Sequence, residues 1–201
     1  HAVIQALREK IGNDRSLVYV IRSNEYYGIT DPAFLHDINR FSLWLEEQAE
    51  TSFVASYTDY LRTRYKADND DDDAYDVVPD DQLTVIDYLV GYQLVQEIEP
   101  NLQRLFNGDY SAVRLIVATS NLSNAELLNF ADKIDAWAKA HLSPNFAITR
   151  GDNSILYARI SETISYELLR GFSLSFLLIT LTMIVGLRSL KYGLLSIIPN
   201  I

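Results

Sequence analysis

Ser111–Thr119 reads SAVRLIVAT, and Ser123–Glu126 reads SNAE. In the first stretch Val113, Leu115 and Val117 alternate with Arg114 and Ile116, the two-residue period of a strand. The second is a capping box, in which serine and glutamate satisfy each other's backbone donors at a helix start. Leu127, Phe130, Ile134, Trp137 and His141 then recur on one helical face, and Pro144 stops the helix. NFAIT, Asn145 to Thr149, is short enough to close the unit as a strand. This segment reads as β-α-β, and the rest of the chain can be organised around it.

The preceding half repeats the pattern. Ser16 to Ser23 (SLVYVIRS) is a β-branched and aromatic run, hence a strand. Asp31-Pro32 opens a helix, with aspartate as cap and proline at the first helical position. Phe34, Ile38, Phe41 and Leu45 keep one face to about Glu47, and SFVASY, Ser52 to Tyr57, is the next strand. Between the halves lie YTDYLRTRYK and the acidic run Ala67 to Asp76 (ADNDDDDAYD), where like charges repel and a mobile loop is expected. Pro79 and Asp80 then open a helical stretch with Leu83, Ile86, Val90 and Leu94 on one face. Pro100 interrupts it, and Asn107-Gly108 ends the segment beyond that proline. The order β-α-β-β-α-β predicts an α+β fold of the ferredoxin-like split type, with helices over one face of an antiparallel sheet and a helical insertion between the halves.

The C-terminal stretch differs in kind. Gly171 to Leu187 (GFSLSFLLITLTMIVGL) contains no charged residue, and about 17 to 25 such residues cross a bilayer as one helix. The helix entering it, ILYARISETISYELL, predicts a continuous link from Ser154 through Leu187. Arg188 and Lys191 come just after the span and mark its cytoplasmic side, which places the acidic body outside, in the periplasm or extracytoplasmic space of a bacterial inner membrane. After RSLKYG a second apolar run, GLLSIIPNI, reads as the start of a further span, with Pro199 tolerated as a kink. Ser173, Ser175, Thr180, Thr182 and Gly186 suit close helix packing in a bundle.

Composition narrows the chemistry. The formal net charge is −10, and the excess of acid lies before the span. That argues against nucleic acid as a partner and against docking on anionic lipid by charge. There are no cysteines, which excludes disulfides, thiol nucleophiles and thiolate metal sites. The three histidines, His1, His36 and His141, have no metal-ligand spacing. An EF-hand counted from Asp68 would need glycine and glutamate where Asp73 and Pro79 stand. No GxSxG or glycine-rich phosphate loop is present. His36 reads as a boundary residue, and His141 as a last-turn residue suited to the helix dipole. Catalytic, cofactor-binding and metal residues are therefore expected to be none, with no cofactor. Thirteen tyrosines, among them Tyr57, Tyr60, Tyr65, Tyr88 and Tyr92, offer an aromatic surface for lipidic ligands, but core and rim packing is the favoured reading. Trp44 and Trp137 fall on the two sheet-covering helices and read as structural.

The order of these parts resembles the resistance-nodulation-division (RND) superfamily of exporters, in the branch related to mycobacterial large membrane proteins and Patched-like proteins. The membrane segment carries the likeness through Arg188-Ser189, Gly193 to Ser196 and Pro199-Asn200. Upstream, YTDYLR (Tyr57 to Arg62), VPDD (Val78 to Asp81), GDYSAVRLIV (Gly108 to Val117) and SNAELLNF (Ser123 to Phe130) are similar to the extracytoplasmic loop of these exporters. The chain departs from the family's Thr-Gly after the last loop strand, having Thr149-Arg150-Gly151. The resemblance covers nearly the whole chain and implies a porter domain between the first and second helices of one half of a duplicated transporter, with wording closer to the second half. It implies coupling to the proton gradient through acidic residues outside this segment. Implied partners are the bilayer, the remaining helices of the transporter, other subunits or envelope proteins, and a hydrophobic or amphipathic small molecule or lipid.

The expected organisation is a helical lead-in over 1–15 from a preceding membrane segment, with the opening His1 as a domain boundary. A porter domain over 16–152 comes next, with the acidic loop and insertion at 67–110. The connecting helix and span occupy 153–187, and a cytoplasmic turn with the next span 188–201. Two rival readings are the extracytoplasmic sensor domain of a signalling receptor and an envelope docking module. A receptor usually continues into a long charged cytoplasmic helix, which GLLSIIPNI does not resemble. An acylphosphatase-type enzyme on the same fold would want a phosphate-cradling loop with a nearby arginine, and none is found.

Overall fold

The computed structural model describes residues 16–95, 102–151 and 154–188. The expected helical lead-in over 1–15, the interruption at Pro100 and the apolar run after Lys191 lie outside those residues. The chain divides into two compact units, His1–Ile155 and Leu156–Ile201.

The first unit is α+β, with one four-stranded antiparallel sheet. Strand β1 (Ser16–Arg22) alternates cleanly: Leu17, Tyr19 and Ile21 are buried on one face and Val18 and Val20 are half-buried on the other. It is followed by helix α1 (Pro32–Glu46) and strand β2 (Thr51–Ala55). Helices α2 (Tyr57–Asp68) and α3 (Gln82–Val95) separate these from β3 (Ala112–Thr119), α4 (Asn124–His141) and β4 (Ala147–Arg150). The sheet order is β2-β3-β1-β4, and every neighbouring pair is antiparallel. Hence β1 and β2 point the same way with β3 between them, and β3 and β4 point the other way with β1 between them. Each β-α-β unit is split by a strand of the other.

Two helices close the sheet. Asp31 caps α1 by accepting from the Ala33 N–H at 3.0 Å, with Pro32 behind it. Phe34, Leu35, Ile38, Phe41 and Leu45 of α1 are wholly buried. At α4 the capping box forms as read: the Ser123 N–H donates to Glu126 at 2.8 Å and the Glu126 N–H returns to Ser123 Oγ at 3.3 Å. Leu127, Phe130, Ala131, Ile134 and Ala138 line its buried face. Phe41, Trp44 and Trp137 stack across the two helices, with Phe41–Trp137 centroids at 5.3 Å and Trp44–Trp137 at 4.7 Å. Phe41 also meets Tyr19 of the sheet edge-on at 6.2 Å.

Several local expectations need correction. The second strand ends at Ala55, not Tyr57, because Ser56 starts a helix: Asp59 accepts from the Ser56 N–H at 2.8 Å. The acidic run is not a bare loop. Asp68 ends α2, Asp72 caps a short 3-10 turn over Asp73–Tyr75, and Arg64, Lys66 and Arg62 pair with Asp68, Asp73 and Asp76. The cations of α2 answer the repulsion. Helix α3 opens at Asp81, whose carboxylate accepts from the Thr84 N–H at 3.0 Å, rather than at Pro79 and Asp80. Its buried face is Val85, Leu89 and Tyr92, while Leu83 and Val90 of the expected face are 69% and 48% exposed. The helix is apolar nearly all round, so periodicity alone could not choose the side. His141 is exposed and lies against the Trp137 ring instead of joining the buried face.

Helix α5 (Ser154–Leu187) begins with the last residues of the first unit and otherwise belongs to the second, and it is the one helix among the described residues long and apolar enough to cross a membrane. Phe172, Leu174, Leu177, Leu181 and Val185 are exposed. The Ser173, Thr180 and Thr182 hydroxyls donate to the carbonyls of Leu169, Phe176 and Leu178 at 2.7 to 2.8 Å, so they are satisfied inside their own helix.

The reversed face of α3 sets a direct comparison. Leu89→Ala should cost about 2–5 kcal/mol, whereas Leu83→Ala should stay within about 0.5 kcal/mol. Urea unfolding followed by fluorescence of Trp44 and Trp137 reads both, and equal losses would contradict this packing.

Candidate functional site

A concavity of the first unit lies beside β4. It is a cleft of about 630 Å³ between the end of α4, the loop at 142–146 and the strand itself. That volume lies within the range of about 300–1,000 Å³ usual for small-molecule sites. Ala138, Leu142, Phe146 and Ile148 make its wall apolar, and Tyr19 of β1 contributes from the sheet. The loop is anchored from α1: Asp37 accepts from the Ser143 N–H at 3.0 Å, Arg40 donates to the His141 carbonyl at 2.6 Å, and Phe34 meets Phe146 edge-on at 4.9 Å. Arg150 stands on the polar side. Its Nε donates to Asp135 at 3.3 Å and its Nη2 to Asp132 at 3.4 Å. Burial is the largest single influence and works against the guanidinium's charge, but the bond to Asp135, the charge of that carboxylate, Tyr19 and the bond to Asp132 together hold the pKa above the ordinary arginine value. The arrangement is an apolar trough with a fixed charge pair at one side, suited to an amphipathic molecule.

A second polar cluster sits at the start of α2. The Asp59 carboxylate is half-buried while capping the Ser56 N–H. Burial raises its pKa, Asp76 adds to the rise, and the cap bond and Arg62 only partly oppose it. Glu46, at the end of α1, is raised by desolvation and then by Asp59. Arg62 donates to the Asp76 carboxylate at 3.0 Å and to its carbonyl at 3.3 Å. Burial, and after it the neighbouring carboxylate, therefore makes Asp59 and Glu46 hold their protons more tightly than usual, against the pull of Arg62. Nearby, burial and then Asp68 push the Tyr88 phenol up to about 12.

The residues singled out by sequence are scattered. His36 lies on the exposed side of α1 with Nε2 2.7 Å from Asp80. His141 sits in the last turn of α4, with Nδ1 2.9 Å from the Trp137 carbonyl. Tyr57 and Tyr92 are buried and meet Tyr60 and Phe106 in one aromatic cluster. Tyr65 packs edge-on against Tyr75 of the acidic run. Among the described residues no three of His, Asp and Glu converge as a metal site. Sequence reading did not find the β4 cleft. Its wall comes from a helix end, a loop and two strands, and only Pro144 and the Thr149-Arg150-Gly151 departure pointed near it.

No protein-family model, characterised protein or solved structure matches the chain.

The raised pKa of Asp59 fixes a sign. Folding strengthens its hold on a proton, so its contribution to stability is fully present below the ordinary value of 3.8 and is lost as pH rises through the folded value. Asp59→Asn keeps an acceptor for the Ser56 N–H but removes that titration. The melting temperature of the variant should therefore gain on the native chain as pH rises from below 3.8 toward neutrality. A constant difference across that range would contradict the assignment.

Proposed function

We propose that this chain is part of a proton-coupled RND-type exporter, in which the α+β unit is a ferredoxin-like porter domain and α5 is the adjoining membrane span. The observation that carries the reading is the succession itself: a split, antiparallel β-α-β-β-α-β sheet whose last strand leads after Arg150 into a helix long and apolar enough to cross a membrane. The interleaved strand order supports the ferredoxin-like reading. In this reading the chain catalyses no reaction. Its outer domain forms part of the path for a hydrophobic or amphipathic substrate, with the cleft beside β4 as a station on that path. The proton-carrying groups belong to other helices of the transporter, since Gly171 to Leu187 holds no acid. The bilayer, those helices and other subunits or envelope proteins are its partners. Arg188 and Lys191 favour an inner-membrane protein with the domain in the periplasm.

Orientation is testable because the chain has no cysteine. A membrane-impermeant maleimide should label Asn129→Cys in intact cells, and Arg188→Cys only after lysis. Labelling of Arg188→Cys alone from outside would reverse the topology, and labelling of both would deny the span.

Transport is read by efflux of N-phenylnaphthylamine from cells producing the protein. Efflux should stop when a protonophore collapses the gradient. Leu142→Asp, which puts a charge on the apolar wall, should slow it roughly tenfold, equivalent to about 1.4 kcal/mol. Efflux no faster than in cells lacking the protein would sink the exporter reading.

A further inference from the structure

At the other end of the sheet, two loops meet in a geometry that their side chains do not favour. Arg22 ends β1 opposite Ala112, which begins β3, and opposite Ala147, which begins β4. The loop after β1 and the loop before β3 are tied there by the backbone: Ser23 N–H to the Ser111 carbonyl at 2.9 Å, and Ile29 N–H to the Tyr110 carbonyl at 3.0 Å. Asn24, Tyr27 and Tyr110 all take positive φ, at 62°, 58° and 55°. Left-handed backbone is uncommon in non-glycine residues and unexpected for bulky ones, and such strain gathers at functional sites. Gly28 is required by this closure, since a Cβ there would lie 1.8 Å from Ser23 Oγ.

The strained loops enclose an open cavity of about 230 Å³ lined by Arg22, Asn24, Glu25, Tyr26, Asp109 and Ser111. Asp109 is engaged, accepting from Ser111 Oγ at 2.8 Å, and Asn24 is held by its Nδ2 donating to the Asn145 carbonyl at 2.6 Å. Arg22 and Glu25 are different. Both are exposed on the same cavity, and among the described residues neither makes an ion pair with the other or with anything else. Beside them Tyr26 is 74% exposed and stands edge-on to Tyr27 at 4.7 Å, while Tyr27 stacks on Tyr110 at 5.2 Å. One cavity therefore holds an unpaired guanidinium, an unpaired carboxylate and a supported aromatic ring.

We propose that this cavity binds a small zwitterion, its carboxylate or phosphate on Arg22 and its ammonium on Glu25 beside the Tyr26 ring. A guanidinium takes an oxyanion through paired, charge-assisted bonds. An aromatic face next to a carboxylate favours an ammonium. A ligand with one charge leaves half of the site unanswered. The two sources of such chemistry are a phospholipid headgroup and a free amino acid.

The test uses the full chain in maltoside micelles, free of zwitterionic lipid, with binding read from the NMR signals of the Arg22 Nε–H and the Tyr26 ring. The probes are O-phosphoethanolamine, alanine, inorganic phosphate and ethylamine. At least one zwitterion should bind tenfold or more tightly than phosphate and ethylamine. Preference for phosphoethanolamine marks the headgroup, and preference for alanine marks the amino acid. Arg22→Gln and Glu25→Gln should each erase the tenfold advantage while the Trp44 and Trp137 signals stay in place. Neither zwitterion binding tenfold more tightly than phosphate and ethylamine, no saturable shift with either zwitterion, or an advantage that survives both substitutions would overturn the assignment.

Discussion

The register between β1 and β3 is the constraint on which the rest of the domain depends. Seven pairs, from Ser16 opposite Ala118 to Arg22 opposite Ala112, fix the two central strands. A slip of one residue would turn Leu17, Tyr19 and Ile21 away from the helices and put Val18 and Val20 in their place. Tyr19 would then no longer meet Phe41, and the β4 cleft would lose the Tyr19 ring. The same register seats β4 on the free side of β1, where Gly151 continues the contact by donating to the Val18 carbonyl at 2.7 Å. A Cβ at Gly151 would come within 3.0 Å of a Val20 methyl, so any larger residue there would have to push that side chain aside.

The parts of the fold legible in sequence are those whose causes are local. Asp31-Pro32 and the Ser123–Glu126 box announce helix starts because capping is settled within four residues. Strands β1 and β3 show their period because each has a marked inner face. The features that escaped reading depend on distant or ambiguous partners. Ser56 and Asp59 form a helix start that looks like the tail of a strand, since Ser52 to Tyr57 is as β-prone as any segment of the chain. Helix α3 offers leucine, valine and isoleucine on both sides, and only its packing against α2 and the turn at Gly28–Thr30 decides that Val85 and Leu89 go inward. The acidic run looks unbound until α2 brings Arg62 to Asp76 and Lys66 to Asp73. The two cavities were the least legible, because each is assembled from segments far apart in sequence.

Charge is managed by position more than by number. With a net charge of −10 the chain has too few cations to pair every acid, and it places them where acids crowd. Arg62, Arg64 and Lys66 on α2 serve the run from Asp68 to Asp76, and Arg150 serves Asp132 and Asp135. Each exposed pair adds little stability by itself. Their effect is to let the 3-10 turn at Asp73–Tyr75 form and to hold the polar side of the β4 cleft. At Asp59 and Glu46 burial, more than any shortage of cations, raises the hold on a proton.

The inward-turned hydroxyls of α5 bear on movement. Ser173, Thr180 and Thr182 commit their donors to the preceding turn, so at those three positions the helix surface offers no free donor. Interhelical hydrogen bonds would lock one rotational setting. At Ser173, Thr180 and Thr182 the helix makes no such commitment, and turning or sliding past a neighbour there breaks no donor bond of those hydroxyls.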